Sequence, residues 1–202
     1  APPARLPLLA ALALFGLGAG VAALPRGTPI TTAPTVASTP APSGNWQVSE
    51  GTLALSVAQM GQTVSGSFAT WAADITFDET ATDGRHGQVT VTIDTTSLTL
   101  GSVTQQAQSA DFFDVATYPQ AIFTADILPA DTGYLASGTL SLRGAEVPVS
   151  LPFTLDLDGN TATMTGQTTL DRRDFGMGQS YADESSVGFG VTVDVTLTAT
   201  RP

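Results

Sequence analysis

The chain has 202 residues, with seven arginines and no lysine, 18 acidic residues, one histidine, no cysteine and a formal net charge of −11. The missing cysteines exclude disulfides and thiolate metal sites, and one histidine cannot build a bis-imidazole haem or a His-rich zinc centre. All acidic residues follow Gly44 and no Lys/Arg cluster accompanies them, so neither nucleic-acid phosphates nor an anionic membrane surface is expected to attract this part of the chain.

Residues 6–24 read LPLLAALALFGLGAGVAAL, an uncharged apolar run between Arg5 and Arg26. As a helix it would span about 28 Å, close to the hydrocarbon thickness of a bilayer. It is either a transmembrane anchor or a secretory signal. The length, and the lack of a clear A-x-A site after it, favour the anchor, so residues 1–24 are expected to tether the chain. Gly16 and Gly20 form a G-x-x-x-G, a pattern that packs membrane helices but that small residues also produce by chance.

Residues 25–44 hold five prolines and five threonines and no apolar period. Such a segment buries no core and reads as an extended, semi-rigid linker.

From residue 45 to residue 202 the pattern becomes period two. Leu53, Leu55 and Val57 alternate with Thr52, Ala54 and Ser56, and Val89, Val91 and Ile93 with Gln88, Thr90 and Thr92. Two longer runs keep one phase, Val147 to Leu157 and Val187 to Leu197. Alternating Val/Thr-rich runs are half-buried antiparallel strands. Arg143-Gly144, Asp158-Gly159 and Asp131-Thr132-Gly133 separate them as short turns. The reading is all-β, with eight or nine strands of about 8 to 14 residues, long enough for a tall barrel. One interruption is expected, residues 95–118, as a helical turn and loop.

Ser109-Ala110-Asp111-Phe112-Phe113-Asp114, followed by Tyr118-Pro119 and Ile122-Phe123, resembles the ADFFD…yP…F signature of YceI-like proteins. Gly66-Ser67-Phe68 with Asp74-Ile75-Thr76-Phe77-Asp78 is similar to that family's GxF…IxFD. Gly138 to Gly144 with Val147-Pro148-Val149 is similar to its G-LTL-G…pV, and Leu170 to Gly176 to its idRxdFG. The four matches occur in order and together cover residues 46–201. The resemblance implies an eight-stranded antiparallel lipocalin-like β-barrel, exported, holding a polyisoprenoid such as a polyprenyl phosphate or a quinone tail. Where family members carry histidines in the first strand and an R-D-x-H-L before ADFFD, this chain has Gly51-Thr52, Ala58-Gln59 and Gln105-Gln106-Ala107-Gln108. Ser97 to Gln106 resembles the variant fused behind a cytochrome b561-type membrane domain, which implies a cytochrome b-type membrane partner and a chain that is the C-terminal part of a fusion.

The expectation is therefore a membrane-anchored barrel on the periplasmic or extracytoplasmic side, with no covalent cofactor, no metal ligands and no catalytic residue. The candidate tunnel wall is Leu55, Val57, Phe68, Trp71, Ile75, Leu98, Phe112, Phe113, Phe123, Phe153, Met164 and Phe175; the alternative is that these form an ordinary packed core. Small residues at Ala54, Ala136, Gly138, Ala162 and Gly166, read as facing inward, would leave room for a ligand. The missing lysine tilts the ligand towards a neutral quinone-type head over a diphosphate. The competing function is a ligand-free barrel docking on a membrane redox partner.

Three further features have plainer readings. His86 reads as a solvated turn histidine, since catalysis needs a base and an orienting partner beside it. The D-x-D-G-N stretch from Asp156 lacks the bidentate glutamate of a calcium loop and reads as a hairpin. Arg172-Arg173-Asp174 reads as an ion pair closing a strand end, or a headgroup contact.

Overall fold

The computed structural model describes residues 45–202; the expected membrane helix and the Pro/Thr linker lie outside the described residues. The alternating segments form ten strands: β1 (Asn45–Gln59), β2 (Gln62–Phe68), β3 (Trp71–Thr82), β4 (Arg85–Asp94), β5 (Leu98–Thr99), β6 (Gln120–Pro129), β7 (Tyr134–Leu142), β8 (Ala145–Asp158), β9 (Thr161–Asp171) and β10 (Val187–Thr200). β1 pairs with β10 along one edge and with β3 at its start. The ring β1-β3-β4-β6-β7-β8-β9-β10 thereby closes into an eight-stranded antiparallel barrel. Strand lengths run from 2 to 15 residues, a wider range than expected.

β1 is long because it serves successive partners. Asn45–Gln47 pair with β3, a bulge intervenes between Val48 and Glu50, and Leu53–Gln59 pair with β2. The extra residue shifts the side-chain phase, so Trp46 before the bulge and Leu53 after it both face inward. Ala54, between inward-facing Leu53 and Leu55, takes the outer phase, contrary to the expectation that it faces inside.

One end of the barrel is built from hairpins. Asp83-Gly84 closes β3–β4 with both residues at positive φ (53° and 78°), the conformation of a tight type I′ hairpin. Gly159 begins the two-residue turn between β8 and β9, and residues 130–133 join β6 to β7.

At the opposite end lie the Arg143-Gly144 hairpin and two longer segments. Residues 95–118 form the expected helical interruption: a 3-10 turn at Thr95–Ser97, β5, a second at Gly101–Val103, and α1 (Thr104–Gln108). A second interruption was not expected. Residues 172–186 leave the sheet through a 3-10 turn, Arg172–Phe175, ended by Gly176 in the left-handed region.

Candidate functional site

The inward phases of the eight strands enclose a cavity of about 260 Å³, walled almost wholly by aliphatic and aromatic side chains. Among the described residues that line it, none is acidic and none is histidine; Gln59, Gln106, Thr168 and Arg172 are the polar exceptions. Eleven of the expected tunnel residues line this space: Leu55, Val57, Phe68, Trp71, Ile75, Phe112, Phe113, Phe123, Phe153, Met164 and Phe175. Leu98 does not. It is 1 % exposed and packs with Leu55, Leu100 and Ala107 in a separate cluster, under the segment that covers β1 and β2. β5 pairs with β2, which places Leu98 outside the ring.

Small residues shape the space as expected at several positions. Ala136 and Ala162 line it, and a Cβ on Gly166 would stand 3.0 Å from Cβ of Phe153 and 3.2 Å from the Met164 methyl. Gly138 has a different reason: a Cβ there would lie 1.9 Å from the carbonyl oxygen of Thr124, so glycine lets β6 and β7 approach.

An aromatic floor closes the hairpin end. Phe77 meets Tyr134 edge-on at 5.2 Å, Tyr134 stacks on Phe153 at 5.6 Å, and Trp46 donates its indole N–H to the Phe77 carbonyl at 3.3 Å. Arg201 lies 4.8 Å over the Trp46 ring. His86 belongs here too. It sits on β4, half-buried against Phe77 and Tyr134, with Nδ1 2.9 Å from the Asp78 carbonyl. It is thus a packing residue rather than a solvated turn residue.

The other end is organised by two arginines. Arg172 is 3 % exposed and donates all five N–H groups to carbonyls: Nε to Gly188, the two terminal nitrogens to Met177 and Gly178 and to Tyr181 and Val187, at 2.8 to 3.2 Å. Burial lowers its pKa from the usual arginine range, while Asp171 opposes that shift. The planar fork suits this cage of carbonyls, which a lysine could not fill. Arg143 spans the two covering segments, donating to Ala110 O at 2.7 Å and to Gly176 O at 2.8 Å. Phe112 lies against Gly178, where any Cβ would come within 2.9 Å of its ring. The ADFFD and DRRDFG stretches therefore meet over one end of the cavity. The expected ion pair exists with a different partner: Arg173 bonds Asp171, not Asp174. The Arg173 hydrogen bonds hold the Asp171 carboxyl down at about 2.

Sequence reasoning missed the polar side chains near this end. Gln106, on α1, lines the cavity and donates to the Tyr181 hydroxyl at 2.7 Å. A five-residue helix shows no periodicity from which its inner face could be read. Leu53, Val89, Val91 and Ile93 also line the wall, and their period-two phase carried that signal.

Comparisons with known proteins agree with this architecture. The profile of the YceI-like domain family matches residues 45–199. Protein YceI of Escherichia coli O157:H7 is 38% identical over 89 residues, 43% of this chain and 46% of that protein. The alignment thus spans about half the length of such curated relatives. The crystal structure of Burkholderia cenocepacia BcnA superposes with a TM-score of 0.69 at 31% identity, over 74% of this chain and 96% of that one. A polyisoprenoid binding domain from Saccharophagus degradans shares the fold at 18% identity, with a TM-score of 0.57 over 78% of this chain and 98% of that one.

Proposed function

The chain belongs to the YceI-like domain family, and on that premise we propose that its barrel binds and carries a long-chain isoprenoid lipid without catalysing a reaction on it. The observation that carries this reading is the cavity itself. At roughly 24 cal/mol per Å³ of void, leaving 260 Å³ unfilled costs on the order of 6 kcal/mol. That is comparable with the whole stability of a typical domain, about 5–15 kcal/mol. An apolar chain offsets the cost, at about 0.8 kcal/mol per buried methylene.

The polar exceptions bear on the headgroup. Arg172 has no N–H left to donate, so a diphosphate would find no free cation on the cavity wall. Gln59, and the second N–H and the carbonyl oxygen of Gln106, whose first N–H is given to Tyr181, are the amide groups left for a neutral carbonyl or hydroxyl. These features favour a quinone-type lipid. The apolar segment at 6–24 supports a tether, and the family resemblance supports a barrel on the extracytoplasmic side, where a carrier of this kind would serve a cytochrome b-type membrane protein. The polyisoprenoid named for the Saccharophagus neighbour supports the ligand class through a shared fold.

The test is to purify the protein from cells, extract it with organic solvent and weigh the extract by mass spectrometry. A prenyl species near one per chain, free of phosphorus, is the expected result. An extract without prenyl lipid, from a protein that also takes up no added ubiquinone or prenol, contradicts the reading and leaves a docking barrel.

A further inference from the structure

The barrel wall is not uniformly laced. The β8–β9 ladder runs only from Asp158–Thr161 to Phe153–Gly166, although β8 extends back to Ala145 and β9 on to Asp171. Beyond that point each strand keeps its other neighbour. β7 pairs with β8 through Leu142–Ala145, and β10 with β9 through Gly190–Asp171.

The sequence accounts for the break. In the two-residue hairpin that joins β8 to β9, Asp158 and Thr161 form its first hydrogen-bonded pair, so even-numbered residues of β8 turn their backbone groups towards β9. Two of these even positions beyond the ladder are Pro148 and Pro152, which have no N–H to give. The ladder stops beside Pro152. In its place one side-chain bond crosses the gap, from Thr168 Oγ1 to Ser150 O at 2.9 Å.

The wall at this gap is one side chain thick. Val149, Thr168, Leu170 and Phe175 line the interior cavity and also line a shallow groove on the outside. The barrel's other break, where β1 exchanges β3 for β2, is backed by β2, β5 and the segment holding Leu98, Leu100 and Ala107.

We propose that the β8–β9 seam is the lateral portal through which a prenyl chain enters and leaves the cavity. This rests on the lipid-binding reading above. Passage there requires parting one side-chain bond and moving Leu170 and Phe175, with no ladder to break. At the hairpin end it would require dismantling the Trp46–Phe77–Tyr134 floor. At the other it would disturb the five-bond Arg172 cage.

The chain has no cysteine and two tryptophans, Trp46 and Trp71, both on the cavity wall. Engineered cysteines are therefore unambiguous, and indole fluorescence reports loading by a quencher such as ubiquinone with two isoprene units. Ser150→Cys with Thr169→Cys continues the Phe153–Gly166 register and places thiols on the outer faces of the two strands, and a disulfide between them, verified by loss of free thiol, staples the seam. Thr90→Cys with Thr124→Cys staples the continuous β4–β6 ladder as a control. A second closure without thiols is Pro148→Thr with Pro152→Thr, which restores the missing donors.

The seam staple should slow ubiquinone uptake by about tenfold or more, which corresponds to about 1.4 kcal/mol or more added to the barrier for entry. Dithiothreitol should restore the rate, the double proline replacement should also slow uptake, and the control staple should leave it unchanged. Wild-type rates in both the oxidised seam variant and the proline variant would overturn the portal and leave lipid binding intact. Equal slowing by the control staple would likewise overturn it. A wild-type protein that takes up no ubiquinone and no geranylgeraniol would overturn both readings together.

Discussion

The indole of Trp71 lies over the backbone of Gly51: a Cβ built on Gly51 would stand 2.8 Å from Cζ2 of the ring and 2.8 Å from the Thr196 carbonyl oxygen. β1 leaves out a side chain where β3 inserts its largest one, and the ring thereby forms part of the cavity wall. Gly51→Val should push the indole inward. Stability should fall by about 1–3 kcal/mol, the usual range for overpacking, as read from urea unfolding. Prenol affinity should fall with it. Unchanged affinity in the folded variant would place the ligand away from Trp71.

Arg172 is expected to be the most costly polar position in the barrel. Arg172→Met removes five donors at once and leaves the carbonyls of Met177, Gly178, Tyr181, Val187 and Gly188 unmatched. Losing such a buried network should cost more than about 3 kcal/mol, or roughly 6–12 °C in Tm for a domain of this size. Arg172→Lys should recover little, because an ammonium offers three donors and no fork. Calorimetry on the two variants checks both statements.

Asp171 connects stability to acid. Its carboxyl titrates at about 2, held down mainly by the Arg173 hydrogen bonds, against about 3.9 in an unfolded chain. A depressed folded pKa contributes stability that is complete above about pH 4 and is lost as the pH falls towards 2. Asp171 also caps the Arg172–Phe175 turn through the Arg173 N–H, a bond that asparagine retains. The Tm difference between wild type and Asp171→Asn should therefore be largest at pH 5–7 and vanish near pH 2. A difference that persists undiminished at pH 2, where the carboxyl is taking up its proton, would contradict the charge-linked role.

The headgroup prediction compares two ligands with one tail. Geranylgeraniol at about a hundredfold over its Kd should stabilise the delipidated protein by about 2.7 kcal/mol, a rise in Tm of roughly 5–10 °C. Geranylgeranyl diphosphate should bind more weakly, because the Arg172 fork is fully engaged. Tighter binding of the diphosphate would contradict the neutral-head proposal.

Much of the fold was legible because strand alternation is a local signal. Val89, Val91 and Ile93 announce their face, and Arg143-Gly144 and Asp158-Gly159 announce their turns. Leu98 was misassigned because a two-residue strand has no phase to read, and only its pairing with β2 places it outside the ring. His86 looked like a turn residue because its ring neighbours, Phe77 and Tyr134, come from other strands. The Arg172 cage was hidden for a similar reason: its acceptors are carbonyls, whose positions no side-chain pattern encodes. Pro148 and Pro152 were visible, yet their meaning depends on which edge of β8 they occupy.

The three methionines offer the most direct test of an interior ligand. Met164 and Met177 line the cavity, while Met60 is 75 % exposed at the β1–β2 turn. Methyl-labelled protein, stripped of lipid and titrated with geranylgeraniol, should show the Met164 and Met177 resonances shifting and saturating at one ligand per chain, with Met60 unmoved. Shifts confined to Met60, or none at all, would contradict binding inside the barrel.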